Sequence, residues 1–303
     1  MAGGTEWVAV DWGTSNVRAW GIAGDGSQTF ATASDKGMGK IARADYPGVL
    51  NELIGTGVDG AVEVVICGMA GARQGWLEAP YAETPASLRE LLSRSVRPQG
   101  ADARFSPRIL PGVCQRAPGH EDVMRGEETQ LLGLLALKPG FEGTAILPGT
   151  HTKWVENRGG RVVRFSSAMT GELYEILSQH SVLRHSFAGE TIGPATEDGL
   201  AEGLAAGLAH PELLSALAFR TRAAALLSGK GADWCSGYLS GLLVGTEVGG
   251  HRDWLAAGQA VPLIGSTRFG RLYGAALKQI GIDSFALDAA EATIAGLKEA
   301  RAQ

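Results

Sequence analysis

Two short stretches constrain this chain more than anything else in it: Val8-Ala9-Val10-Asp11-Trp12-Gly13-Thr14-Ser15-Asn16-Val17-Arg18 and Ala145-Ile146-Leu147-Pro148-Gly149-Thr150-His151-Thr152-Lys153-Trp154-Val155. Each is an apolar strand that runs into a Gly-Thr turn and leaves along a second strand. A hairpin turn that exposes backbone N–H groups makes a small concavity for anions. Two such hairpins, about half a chain apart, suggest a duplicated domain closing on a polyphosphate. Asp11 lies at the first turn, where a carboxylate can hold Mg²⁺ against that phosphate. An Asp at a strand end can also simply cap a turn. The Gly13-Thr14-Ser15-Asn16 run after it, and the matching hairpin in the other half, favour the phosphate reading.

The chain has 303 residues, enough for two domains or one large one. Its 45% apolar and 19% charged content is that of a globular protein. A net charge of −5 argues against a general nucleic-acid binder, which needs a basic face. It leaves room for a local basic pocket that takes an acidic small molecule. No apolar run reaches the ~18–20 residues of a membrane span. The start, Met1-Ala2-Gly3-Gly4-Thr5-Glu6, lacks the charged and apolar regions of a secretion signal. Cys67, Cys114 and Cys235 form no C-x-x-C pair and read as buried or incidental thiols in a reducing cytoplasm.

Along the chain, residues 6–12, 15–22 and 27–33 read as strands, 45–56 as a helix and 62–69 as a buried strand. The Gly- and Pro-bearing segment 70–86 reads as a loop. A helix over 87–95, a strand over 107–113 and a helix over 127–138, ended by Pro139-Gly140, follow. The second half starts again with strands at 144–148, 152–157 and 161–167 and a helix over 169–180. Helical regions cover 197–227 and 234–249. Then come a strand at 260–265, a helix at 268–280, a short strand at 284–287 and a helix over 288–302. This alternation predicts an α/β fold with mixed sheets. The repeated three-stranded start predicts two similar domains, 1–141 and 142–303, divided near 140–143, with the last helix returning to the first domain.

The usual nucleotide motifs are absent. Gly229-Lys230-Gly231 lacks the rest of a P-loop, and Gly37-Met38-Gly39 lacks the third Gly of a dinucleotide fingerprint. No zinc spacing and no G-x-S-x-G elbow occurs. Glu127 and Glu128 open the 127–138 helix. Acids in a first turn complement the helix dipole by roughly 0.3–1 kcal/mol, which accounts for one of the two. The other is a candidate base, held ionised by that dipole and ready to accept a hydroxyl proton. Phosphoryl transfer asks little more of a base, because positioning dominates its loose transition state. Arg73 and Trp76 follow a strand end, where ligands gather in α/β folds, and could shape a pocket for a sugar acid. A surface loop with a half-packed Trp is the competing reading.

With these residues in view, the chain resembles the sugar-kinase, actin and Hsp70 ATPase superfamily. Its first phosphate motif is similar to Asp11-Trp12-Gly13-Thr14-Ser15-Asn16, its second to Pro148-Gly149-Thr150-His151. Its adenosine motif is similar in shape to Pro262-Leu263-Ile264-Gly265-Ser266-Thr267-Arg268-Phe269. In the glycerol-kinase branch a Gly-Asp pair carries the base; here Gly126-Glu127 stands in that place, with Glu128 as a rival. Met124-Arg125-Gly126-Glu127-Glu128-Thr129-Gln130, Pro148-Gly149-Thr150-His151-Thr152-Lys153-Trp154, Met169-Thr170-Gly171-Glu172-Leu173 and Leu239-Ser240-Gly241-Leu242-Leu243-Val244-Gly245-Thr246-Glu247-Val248 together resemble the 2-dehydro-3-deoxygalactonokinase family.

The resemblance implies two ribonuclease-H-like domains with mixed five-stranded sheets flanked by helices, and an active site in the cleft between them. It implies ATP- and Mg²⁺-dependent phosphorylation of 2-dehydro-3-deoxy-D-galactonate on its C6 hydroxyl, in galactonate catabolism. Asp11 would hold Mg²⁺ through water. Gly13, Thr14 and Ser15 would cradle the γ-phosphate; Gly149, Thr150 and His151 belong to the β-phosphate motif; Gly265 and Ser266 would face adenosine. Glu127 would take the proton. Arg125, Arg73 or Lys153 would meet the substrate carboxylate or the transferring phosphoryl group, with Trp76 shaping the pocket. Alternatives are a kinase for another sugar acid or a hexose, and a non-catalytic ATP-binding sensor. A homodimer is the expected assembly, with no nucleic-acid or membrane partner.

Overall fold

The computed structural model describes residues 4–187 and 195–302. The chain divides into two compact units, Met1–Glu142 with Asn157–Phe165 and Ala289–Gln303, and Gly143–Glu156 with Ser166–Asp288.

The first unit opens with β1 (Trp7–Trp12), β2 (Val17–Ile22) and β3 (Gln28–Ser34), then α1 (Tyr46–Ile54) and β4 (Val62–Gly68). Short strands β5 (Tyr81–Glu83) and β6 (Ala86–Ser87), β7 (Phe105–Ile109), β8 (Gly112–Gln115), β9 (Asp122–Met124) and α2 (Glu127–Leu137) follow. The main sheet runs β3-β2-β1-β4-β7. β1 pairs antiparallel with β2 and parallel with β4, so the mixed sheet is set at its central strand. That strand is buried on both faces, which is why Trp7 to Val10 is an unbroken apolar run. β5, β8 and β9 form a separate three-stranded sheet.

The second unit repeats the plan: β10 (Gly143–Leu147), β11 (Thr152–Arg158), β12 (Arg161–Ala168), α3 (Thr170–His180), α4 (Ala195–Ala209), α5 (Leu214–Leu227), α6 (Ala232–Gly250), β13 (Val261–Gly265), α7 (Thr267–Gln279) and β14 (Ser284–Asp288). Its strands lie in the order β14-β13-β10-β11-β12, the first unit's order read from the other edge. β13 is parallel to both β10 and β14. The tip of the β11–β12 hairpin belongs to the first unit, where Arg161 and Val162 pair with Ser87 and Ala86 of β6. The last helix, α8 (Ala289–Arg301), also belongs to the first unit and packs on α2.

Glycines set the helix contacts. A Cβ on Gly133 of α2 would lie 1.8 Å from Ala292 O, and one on Gly296 of α8 1.9 Å from Thr129 O. In the second unit Gly199, Gly203 and Gly207 of α4 and Gly237, Gly241 and Gly245 of α6 act in the same way, each with a carbonyl oxygen of the other helix 2.0–2.6 Å from where a Cβ would stand.

Four local expectations need correction. Residues 87–95 are two 3₁₀ turns, Leu88–Glu90 and Leu92–Arg94, not one helix. Leu88, Leu91 and Leu92 bury equally well from 3₁₀ turns, whose i and i+3 residues share a face. The strand expected over 107–113 is two strands, β7 and β8, in different sheets, and the loop 70–86 contains β5. The helical stretch 197–227 breaks at His210–Leu213, where Pro211 cannot supply the amide an uninterrupted helix needs.

Candidate active site

The first Gly-Thr turn is held from behind. Gly13 N donates to Asn16 O at 2.8 Å and closes the turn. The amides of Met38, Gly39 and Gly37 donate to the carbonyls of Gly13, Thr14 and Ser15 at 3.0, 2.8 and 3.3 Å. With its carbonyls taken, the turn leaves the amides of Thr14, Ser15 and Asn16 without a backbone acceptor among the described residues, and all three residues are exposed. Free amides on consecutive residues of a turn are the arrangement from which anion-binding concavities are made. Gly37 is required there, because a Cβ would stand 2.3 Å from the Ser15 carbonyl carbon. The Gly37-Met38-Gly39 run, a failed dinucleotide fingerprint by sequence, is thus a buttress.

Asp11 sits one residue before the end of β1, opposite Arg18 on β2 and Cys67 on β4. Arg18 Nη2 donates to Asp11 Oδ2 at 2.6 Å, and the Cys67 thiol lies 3.9 Å from Oδ1. β4 ends on Gly68 at φ +87°, where a Cβ would lie 2.6 Å from Trp12 O. Gly126, the residue before α2, would put a Cβ 3.5 Å from Gly68 Cα. Two glycines therefore let the ends of β1 and β4 meet the N-terminus of α2. Arg18 escaped the sequence reading, although its place directly across the hairpin from Asp11 was countable.

The two α2 carboxylates differ. Glu127 is half-buried and its Oε2 accepts from Arg125 N at 3.0 Å. Glu128 is fully buried, and both its oxygens accept from Gly126 N, at 2.9 and 2.7 Å. Burial, and then the charge of Glu127, push the Glu128 carboxyl up to about 8. The same burial raises the Cys67 thiol, with Asp11 and Glu128 adding to it.

The cationic candidates occupy unlike environments. Arg125 is half-buried; its Nη2 donates to Ala79 O at 2.9 Å and its guanidinium lies 4.3 Å over the Tyr81 ring. Its Nε and Nη1 are buried with no partner among the described residues. Arg73 is exposed on the loop, its carbonyl accepting from Arg43 Nη2. Trp76 lies in the core, not on the loop surface: it packs on Tyr46 and Trp12, and its Nε1 donates to Gln99 O at 3.2 Å. Lys153 is buried on β11, where its Nζ donates to Ser167 Oγ.

The second Gly-Thr turn is buttressed by α3. Glu172 N donates to Thr150 O at 3.1 Å, and His151 Nε2 pairs with Glu172 Oε2. A Cβ on Gly171 would lie 2.6 Å from Gly149 O, so only glycine lets α3 start this close. Beside the turn is a cavity of about 130 Å³, walled by Gly149, Thr170, Tyr174, Leu243, Arg268 and Tyr273 among others. Gly265 and Ser266 do not line it. Gly265 lies against Pro148, and Ser266 caps α7 by accepting from Phe269 N at 3.5 Å. Arg268 and Phe269, two and three residues further on, do line it. Under this cavity Glu247 of α6 is buried and accepts from Trp154 Nε1, Tyr273 Oη and Thr170 Oγ1. The sequence did signal it, as a lone carboxylate in the apolar run Leu242-Leu243-Val244-Gly245-Thr246-Glu247-Val248.

Among the described residues no cluster of three or more His, Cys, Asp or Glu could hold a metal, and no helix is long and apolar enough to cross a membrane. The chain matches the model of the 2-keto-3-deoxy-galactonokinase family over residues 11–300. It is 40% identical over 295 residues to a Rhizobium meliloti (strain 1021) protein called "Probable 2-dehydro-3-deoxygalactonokinase DgoK1", covering 97% of this chain and 96% of that one. It is 34% identical, over the same shares, to the 2-dehydro-3-deoxygalactonokinase of Escherichia coli (strain K12). A crystal structure of a Sinorhizobium meliloti protein described under the same activity superposes with a TM-score of 0.90 at 41% identity, covering 98% of this chain and 96% of that one. The mixed α/β fold, the full-length family match and these relatives agree: the chain belongs to the 2-keto-3-deoxy-galactonokinase family of sugar-acid kinases.

Proposed function

We propose that the chain transfers the γ-phosphoryl group of ATP to the C6 hydroxyl of 2-dehydro-3-deoxy-D-galactonate, giving the 6-phosphate, in cytoplasmic galactonate catabolism. The observation that carries the choice of acceptor is the full-length match to kinases named for it. The cavity beside the second Gly-Thr turn supports ATP: it is largely apolar, as a flat base requires, and opens against the backbone of Gly149. Adenosine would take this cavity, with Arg268 and Phe269 joining the Gly265-Ser266 corner. Gly149, Thr150 and His151 would serve the β-phosphate; Gly13, Thr14 and Ser15 would serve the γ-phosphate.

Asp11 fits Mg²⁺ in the manner of phosphate-bound magnesium, which needs only one or two carboxylates beside water and phosphate oxygens. One carboxylate, already hydrogen-bonded to Arg18, is what this turn offers. Bound Mg²⁺ would neutralise the charge developing between the phosphates. Glu127 takes the proton of the C6 hydroxyl as the oxygen attacks phosphorus, and ADP leaves with the bridging electron pair. Glu127 is preferred to Glu128 because it is the one with solvent access. Arg125 is the first candidate for the substrate carboxylate, its buried Nε and Nη1 being unused, ahead of Arg73 and Lys153. The three cysteines are free and buried, as a reducing cytoplasm favours.

A coupled assay of ADP release with Mg²⁺-ATP tests this, run across 2-keto-3-deoxy acids and plain hexoses. The expected result is the highest kcat/KM for 2-dehydro-3-deoxygalactonate. A preference for a neutral hexose would overturn the acid reading, and no turnover with any acceptor would overturn the kinase reading. Light scattering on the same sample tests the proposed homodimer.

A further inference from the structure

Glu247 is a buried carboxylate of the second unit on which three side-chain donors converge, and the chemistry above does not use it. Its Oε1 accepts from Trp154 Nε1 at 2.6 Å. Its Oε2 accepts from Tyr273 Oη at 2.7 Å and from Thr170 Oγ1. Tyr273 Oη in turn accepts from Thr152 Oγ1 at 2.8 Å. The partners come from different elements. Thr152 and Trp154 begin β11, directly after the second Gly-Thr turn; Thr170 begins α3; Tyr273 is on α7. Thr170 and Tyr273 also line the cavity. The residue after Thr170 is Gly171, which approaches the Gly149 carbonyl so closely that a Cβ would not fit.

We infer that Glu247 is a positioning residue for nucleotide binding: through Trp154, Thr170 and Tyr273 it holds the second Gly-Thr turn, the start of α3 and the α7 wall of the cavity in one arrangement. The inference rests on reading that cavity as the nucleotide site. A carboxylate suits the task because it only accepts, so three donors can converge on it. Burial raises its carboxyl to about 6 and the three donors oppose the rise, which leaves it ionised at neutral pH. A fold that needed only stability could replace the whole cluster, acceptor and donors together, with well-packed apolar side chains, often without loss. Glutamine keeps an acceptor for Trp154 Nε1 but turns its NH₂ on the Tyr273 and Thr170 hydroxyls, which must then accept instead of donate, and it removes the negative charge on which all three donors converge.

The test is calorimetric titration of Mg²⁺-ADP into the intact protein and its Glu247→Gln, Tyr273→Phe and Thr170→Val variants, with steady-state kinetics alongside. Glu247→Gln should weaken ADP by about tenfold and raise the KM for ATP by the same factor. Its kcat and its KM for the sugar acid should stay within about twofold. Tyr273→Phe and Thr170→Val each remove one donor and should move ADP affinity the same way by less. A Glu247→Gln protein with a lowered melting temperature but ADP affinity within about twofold of the parent would make the residue merely structural and overturn the inference. Should that variant not fold, unchanged ADP affinity in both hydroxyl variants overturns it equally. If the parent itself fails to bind ADP, the nucleotide reading of the cavity falls, which is a different result from a parent that binds and variants that match it.

Discussion

Glu128 in the first unit and Glu247 in the second are buried near their units' Gly-Thr turns, and the two are treated in opposite ways. Glu247 receives three side-chain donors, and its carboxyl rises only to about 6. Glu128 takes Gly126 N on both oxygens and a longer bond from Thr129 Oγ1 at 3.3 Å, has the Glu127 charge beside it, and its carboxyl rises to about 8. Burial is the largest cause in both; next comes the Glu127 charge at Glu128, which adds to the rise, and the side-chain donors at Glu247, which oppose it. The lesson is a division of labour. The second unit saturates its carboxylate and uses it to fix geometry. The first unit sets two carboxylates side by side at the start of α2, near the meeting of β1 and β4 where we propose that the proton and the metal-bound phosphate are handled.

The largest expected effect tests that division in the first unit. Glu127→Gln should lower kcat by roughly 10²–10⁴, the usual range for a positioned base, with little change in KM. Glu128→Gln should cost much less, since glutamine imitates the protonated acid that burial favours. Stopped-flow or steady-state turnover of the pair decides it, and a reversed order would move the base to Glu128. Asp11→Asn should still bind ATP but lose roughly 10²–10³ in turnover, because metal-based charge stabilisation is worth several kcal/mol. Near-normal turnover at saturating Mg²⁺ would dismiss the first phosphate turn.

Arg125→Ala should cost about tenfold to a hundredfold in kcat/KM for the sugar acid, the worth of one charge-assisted hydrogen bond. ATP affinity should hold. If Ala variants at Arg125, Arg73 and Lys153 all stay within about threefold, the carboxylate is held elsewhere.

The smallest effect sharpens the comparison itself. Both glutamates have folded-state values above the ordinary 4.5. The native state therefore holds these protons more tightly than the unfolded chain, and stability from these groups is greatest below about 4.5. It falls as pH rises, by up to about 1.4 kcal/mol per pH unit for each group. Glu247 completes its loss near pH 6, Glu128 near pH 8. Thermal unfolding from pH 5 to 9 should thus show Glu128→Gln gaining on the parent between pH 6 and 8. Parallel curves would mean that Glu128 does not titrate in that range.

The α/β alternation and the paired hairpins were legible because each depends on neighbours in sequence: apolar runs and a Gly-Thr turn between them. The base remained open between Glu127 and Glu128, since adjacent residues of one helix differ only in which way the packed helix turns them. Residues 87–95 misread as a helix because a three-residue apolar spacing suits both helix types.

By itself the sequence determined the order of elements, the two turns and the family blocks. Only the tertiary structure decided which glycines are close approaches, such as Gly37 against Ser15 and Gly171 against Gly149. It alone decided that Trp76 joins the core, that Arg268 and Phe269 rather than Gly265 and Ser266 wall the cavity, and that Glu247 gathers Trp154, Thr170 and Tyr273. The physical reason is sequence distance. Hydrophobic period and turn chemistry act over a few residues, whereas Glu247 meets partners 93, 77 and 26 positions away, and such meetings exist only once sheets and helices have packed.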